Sequence, residues 1–249
     1  RSTPSNSSAA SDVYKRQLWI QSTSYFIKDI EKYNKATMFF GWGHRMPIDD
    51  PLDADKYVES VKLYEPDGKV TPIELKSEVS YHATRIEYAK KGAYVLAAEL
   101  KPGFYTMYVD QDGKRHHHIG PMDEVKDAKE IKYSSHFHQY TKAIVTSVES
   151  SENALKPVGS KFEIVPETAP AKLKPGERFS FKVYFDGKVL SADEVTYSAA
   201  PIKHITEAGD FIYRERKLTD GKGDFDIYCP GTWHLMVSYS TEPTGELST

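Results

Sequence analysis

Residues 173–187 read LKPGERFSFKVYFDG, and their pattern decides the fold. Lys174-Pro175-Gly176 is a turn, because proline presets one backbone angle and glycine tolerates the other. Phe179, Phe181, Val183 and Phe185 then alternate with Ser180, Lys182 and Tyr184 until Asp186-Gly187 turns the chain again. A period of two puts the aromatic row on one face and the polar row on the other, which is a strand half-buried in a sandwich. The same signature recurs outward from this stretch. Residues 162–165 and 195–198 are short strands, and a glycine-rich turn at 219–223 leads into Phe225 and Ile227. Pro230-Gly231 precedes a row of Trp233, Leu235, Val237 and Tyr239. Roughly seven short strands over about eighty residues predict an immunoglobulin-like sandwich for residues 161–240.

The first half of the chain is punctuated in the same way. Strands are predicted over 18–20, 35–40, 61–64, 70–75, 79–88, 94–100 and 104–110. Pro66-Asp67-Gly68, Lys101-Pro102-Gly103 and Asp112-Gly113 are read as the turns between neighbours. Along 94–100, Tyr94, Leu96, Ala98 and Leu100 share one face. Residues 22–34 read equally as strand or connection, and 53–60 as a helical turn. Residues 114–130 break the pattern before an apolar, aromatic stretch resumes at 133–148. The expectation is an all-β protein of two sandwich-like domains, 18–148 and 161–240, joined by a polar linker at 149–160. Residues 1–17 read as a non-native or disordered leader without the apolar centre of a signal peptide, and 241–249 as a polar tail.

Composition narrows the functional classes. The 249 residues hold 33 basic and 36 acidic side chains, a formal charge of -3, with no basic patch interleaved with aromatics. Nucleic acid is therefore not an expected partner. No apolar run reaches the ~20 residues of a membrane helix, so the chain is not expected to span a membrane itself. Cys229, the single cysteine, excludes an intrachain disulfide and any zinc site built from several thiolates. It reads as a small buried hydrophobe. Nucleophile elbows, zinc-protease helices, phosphate-cradling loops and dinucleotide fingerprints are all missing, so no enzymatic activity is expected. Two carboxylates suffice for glycoside hydrolysis, which the sequence leaves open.

Candidate ligands centre on residues 39–55, FFGWGHRMPIDDPLDAD. An apolar strand is predicted to stop at a Gly41-Trp42-Gly43-His44 turn, presenting Trp42 and His44, with Asp49 and Asp50 close behind. Imidazole with nearby carboxylates suits a divalent transition-metal ion. The same residues equally suit an ordinary loop, with His44 bonding the turn and the aspartates capping the next segment. His136 and His138 converge on one cation if 133–148 is extended there and diverge if it is helical. His116, His117 and His118 read as a solvated loop, His82 as a strand residue, and His204 and His234 as residues without a ligand role.

Four segments carry a family resemblance: GWGHRMPID at 41–49, KFEIVP at 161–166, LKPGERFSFKVYFDGKVL at 173–190, and TDGKGDFDI with PGTWHLMVSY between 219 and 239. Together they resemble a family of exported bacterial proteins of unassigned function, often described as periplasmic components of cobalt or nickel uptake systems. The resemblance spans about residues 18–239. It implies a periplasmic protein that binds a nickel or cobalt ion through His44, with help from His136, His138, Asp49 or Asp50, and passes it to a membrane metal transporter. The family usually carries a histidine just before the Leu-Trp pair, where this chain has Gln17. The alternative expectation is a non-catalytic adhesion or carbohydrate-contact module with Trp42 on an aromatic surface.

Overall fold

The computed structural model describes residues 17–43, 46–77, 82–148, 152–191 and 194–243. The first thirteen strands are β1 (Gln17–Ser22), β2 (Phe26–Ile27), β3 (Lys35–Gly43), β4 (Val58–Tyr64), β5 (Val70–Pro72), β6 (Lys76–Ser77), β7 (His82–Glu87), β8 (Gly92–Leu100), β9 (Gly103–Asp110), β10 (Arg115–His118), β11 (Ala128–Phe137) and β12 (Tyr140–Ser147), with β13 (Phe162–Pro166) opening the second half. A short helix, α1 (Ala54–Tyr57), precedes β4 and is capped by Asp53, whose carboxylate accepts from the Lys56 amide.

Two sheets, ordered β1-β3-β7-β6 and β2-β12-β8-β4-β5, form the first sandwich. Met38, Phe40 and Ile86 from one sheet meet Leu63, Tyr94, Leu96, Ala98, Leu100 and Val145 from the other in a shared core. The face predicted for Tyr94 to Leu100 is therefore the core face. The alternate residues Ala93, Val95 and Ala97 are buried too, because β8 lies in the middle of its sheet between β4 and β12.

The chain does not reverse at Lys101-Pro102-Gly103. β8 and β9 are not paired with each other. β8 pairs with β12, and β9 pairs with β11 in a third sheet ordered β10-β9-β11. The two pairs are successive halves of one long antiparallel ribbon, bent where Pro102 lacks an amide and the Leu100 amide donates to Gln139 O at 3.0 Å. The expected histidine loop is also strand: Arg115–His118 pairs with β9 after the Asp112-Gly113 turn. His116 bonds Asp110 at 2.6 Å, His117 bonds the Tyr105 hydroxyl and His118 bonds Glu124 at 2.8 Å. The His116 contact is the main reason the Asp110 carboxyl lies below its ordinary range.

The expected turn at residues 41–44 is also different. β3 continues through Gly43, pairing Gly41 with Trp19, Trp42 with Leu18 and Gly43 with Gln17. Gly41 is there for close approach. A Cβ on it would lie 1.8 Å from Trp19 Nε1 and 2.5 Å from Pro47 O. The indole lies across that bare backbone and donates to Pro47 O at 3.0 Å.

The second sandwich adds β14 (Arg178–Phe185), β15 (Lys188–Val189), β16 (Thr196–Pro201), α2 (Ile202–Ala208), β17 (Tyr213–Lys217), β18 (Lys222–Asp226) and β19 (Trp233–Ser238). In one sheet β14 is flanked by β13 on one side and by β15 and β18 on the other; in the facing sheet β16 separates β17 from β19. The row Phe179, Phe181 and Val183 is buried against Tyr197 and Ala199, as the alternation predicts. The core-facing rows of β13 (Phe162, Ile164) and β19 (Trp233, Leu235, Val237) are only half-buried.

The two sandwiches touch through polar and apolar contacts. Residues 149–151 of the expected linker lie outside the described residues. The rest of it is docked: Asn153 Nδ2 donates to Glu65 O at 3.1 Å and Pro66 O at 2.6 Å, and Ala154 is buried. Glu163, 3% exposed, accepts from the amides of Val158 and Gly159 and from Lys142 Nζ at 2.7 Å. Trp19 and Met46 share a small cluster with Ala200 and Ile205.

Candidate functional site

A cleft of about 2020 Å³ runs between the two sandwiches. The start of β1, the bend of the long ribbon, β13 and β19 all contribute to its walls. Its polar groups gather at the bend, because β11 ends at Phe137 and β12 begins at Tyr140, leaving His138 and Gln139 as a two-residue bridge between sheets. Here the His138 ring is bonded on one side and faces a carboxylate on the other, where its buried Nε2 has no hydrogen-bond partner. Nδ1 is 2.6 Å from the Tyr140 hydroxyl, and Nε2 is 3.0 Å from Glu99 Oε1. Burial, with the Glu99 carboxylate adding to it, pushes the Tyr140 phenol well above its ordinary pKa.

His136 sits opposite Phe104, with their rings 4.6 Å apart, and lines the same cleft. Trp42 is half-buried in it, stacked on Tyr57 with centroids 6.4 Å apart. The first residue of β1 closes the group: Gln17 lines the cleft, and the Leu18 amide reaches Gln139 Oε1 at 3.3 Å. The position where related chains are expected to carry histidine therefore lies beside the ribbon bend.

The structure thus brings His136, His138 and Trp42 to one cleft. Asp49 and Asp50 do not line it; both of their amides donate to Trp42 O, at 3.3 and 3.0 Å, folding the loop back on β3. His44 lies outside the described residues. Among the described residues, no three His, Cys, Asp or Glu side chains are gathered closely enough to hold a metal ion. Cys229, expected to be buried, is half-buried on the cleft wall. Glu99 was not singled out from sequence. It is the only charged residue in the run GAYVLAAEL at 92–100, and a lone carboxylate in an apolar strand is a usable signal.

His234, read from sequence as having no ligand role, is part of the contact between the sandwiches. Its ring lies 6.5 Å from that of Trp19 and 5.6 Å from that of Phe211, and its Nδ1 is buried with no hydrogen-bond partner. Burial pushes its pKa down from 6.5 to about 4. Between those two values only the unfolded chain binds the proton, so this histidine costs stability as pH falls from 6.5 towards 4. The full effect is at most about 3 kcal/mol. His234→Gln is expected to flatten the fall in melting temperature between pH 7 and pH 4, and unchanged slopes would contradict a buried neutral imidazole.

The fold and the cleft define a class: a two-sandwich β protein with a histidine- and aromatic-lined groove between its domains. The chain belongs to the family described as "Domain of unknown function (DUF4198)", whose model matches residues 16–241. No curated protein matches it. Among solved structures, a DUF4785 family protein from Legionella pneumophila aligns at 10% identity and a TM-score of 0.26. That alignment covers 90% of this chain and 47% of the Legionella chain, so the chain spans about half the length of that relative. A tetra-tandem repeat from the extending region of a large adhesion protein aligns at 7% identity and a TM-score of 0.24, covering 90% and 74%. Overlaps this slight bear on neither fold nor function. Among the described residues, no helix is long and apolar enough to cross a membrane.

Proposed function

We propose that the chain is a non-catalytic periplasmic binding protein that takes up a nickel or cobalt ion and passes it to a membrane transporter. The observation that carries this reading is the His138–Glu99 pair at the ribbon bend. Its N···O separation of 3.0 Å matches the edge between adjacent ligands of a six-coordinate ion with bonds of about 2.1 Å. The ion is cargo. His138 and Glu99 would hold it, with His136 on the same wall and His44, next in sequence after Gly43, as the further imidazole. Imidazole with carboxylate and no thiolate suits these ions.

Calorimetric titration with nickel and cobalt is expected to give one saturable site. His138→Ala and Glu99→Gln should each weaken it at least about tenfold, or about 1.4 kcal/mol. Affinity no better than millimolar in the unaltered protein sinks the proposal. A second reading is favoured by the half-buried Trp42–Tyr57 stack: a carbohydrate or adhesion contact, in which flat aromatic faces receive sugar rings. Quenching of Trp42 fluorescence by oligosaccharides, unaffected by His138→Ala, would select it.

A further inference from the structure

We propose that the open side of the second sandwich is a docking slot for an extended strand from another protein, one alternating apolar with acidic side chains. A closed sandwich buries the core-facing rows of all its strands. Here the central rows are sealed, with Phe181 and Val183 at 0% exposure, while Phe162 and Ile164 of β13 and the β19 row are only partly buried. The two open rows lie at the ends of facing sheets, and among the described residues no strand pairs with the outer edge of β13 or β19. All of residues 233–239 line the cleft, and so do the core residues Phe179, Phe225 and Ile227 behind them. A strand laid against β19 would supply the missing ladder and fill the gap with every second side chain, the recognition mode called β-augmentation. The slot has definite ends. Tyr239 packs on Phe162 and Phe185 at one, and Trp233 packs on Phe225 and Tyr228 at the other. Six residues of β19 span about 20 Å, the length of an ordinary strand.

Charge selects the occupant. The whole chain is net acidic, yet the cleft is lined by Lys56, Lys101, Lys142 and Lys161 against Asp53 and Glu163, with Glu99 behind His138 as the third carboxylate at its wall. Lys142 and Glu163 cancel each other. Side chains of the incoming strand that point away from the gap therefore meet net positive potential, which favours glutamate and aspartate.

This inference does not rest on the metal site, and its test is run with a chelator present so that the two fail separately. The probe is a fluorescein-labelled peptide alternating valine with glutamate, compared with one alternating valine with lysine. Anisotropy should show saturable binding of the glutamate peptide, at least about tenfold tighter than the lysine peptide. The alternate amides of residues 233–239 that point away from β16 should exchange at least about tenfold more slowly in its presence. Leu235→Arg should abolish binding, and if that variant does not fold, the exchange data on the unaltered protein decide. No protection at millimolar peptide overturns the proposal, as does equal affinity for the two peptides. Self-association in sedimentation, with the slot amides already protected, would assign the slot to a second copy of this chain and equally overturn it.

Discussion

Lys142→Met is expected to destabilise the protein by about 3 kcal/mol, because it strands the Glu163 carboxylate in a site where that side chain is only 3% exposed. For a chain of this size the melting temperature should fall by about 6–12 °C. Burial alone drives the Lys142 ammonium towards its neutral form, and Glu163 opposes that shift, so the pair exists only as a pair. Replacing both, as Lys142→Met with Glu163→Gln, should cost less than the sum of the two single changes. The glutamine leaves no buried charge, and its single carbonyl oxygen in the place of Oε2 lies 3.1 Å from both the Val158 and the Gly159 amide nitrogens. Thermal unfolding of the four proteins checks this. Additive losses would mean that the lysine and the carboxylate do not act on each other.

Gly41→Ala should be at least as damaging, again about 3 kcal/mol or more. The new methyl would overlap the Trp19 indole at 1.8 Å and the Pro47 carbonyl at 2.5 Å. A flexible side-chain tip could swing aside, but a ring in the core and a backbone oxygen have nowhere to go. Trp19 also leads the apolar cluster shared by the sandwiches, so the damage should reach the domain contact. In a Trp19→Ala background the same glycine change should cost less, since one of its two clashes is gone. A near-neutral Gly41→Ala in the unaltered protein would refute the packing described for β1 and β3.

The second sandwich was legible because its strands are amphipathic. Phe179, Phe181 and Val183 declare their face by alternation, and turn residues bound each strand. The long ribbon was not legible. Lys101-Pro102-Gly103 has the composition of a reverse turn, and only the pairing of β9 with β11, more than twenty residues downstream, shows that the chain runs on. Local chemistry fixes a bend but not its partner. The glycine at 41 was misread for a related reason: it serves close approach, whereas Gly43, at a φ of 120°, has the conformation that favours glycine in turns, and sequence does not separate the two uses. Of the candidate site, His136, His138 and Trp42 were found by residue type. Glu99 was missed because its significance comes from β12, whose Tyr140 sits beside it.

Where β8 passes into β9 and β11 into β12, only these two strands run through the bend, braced from the side by the Lys101 amide on Tyr57 O at 2.8 Å and the Leu18 amide on Gln139 Oε1 at 3.3 Å. β9, β10 and β11 make their main contacts with one another, so the outer sheet stands out from the first sandwich like a cantilever. A beam deflects where its cross-section is least, and here that section falls at residues 101–102 and 138–139. Its arm is about 26 Å long, eight residues of β9 at strand rise. Thermal motion or a load at the Asp112-Gly113 tip is therefore concentrated as flexing at the position that holds His138 between Glu99 and Tyr140.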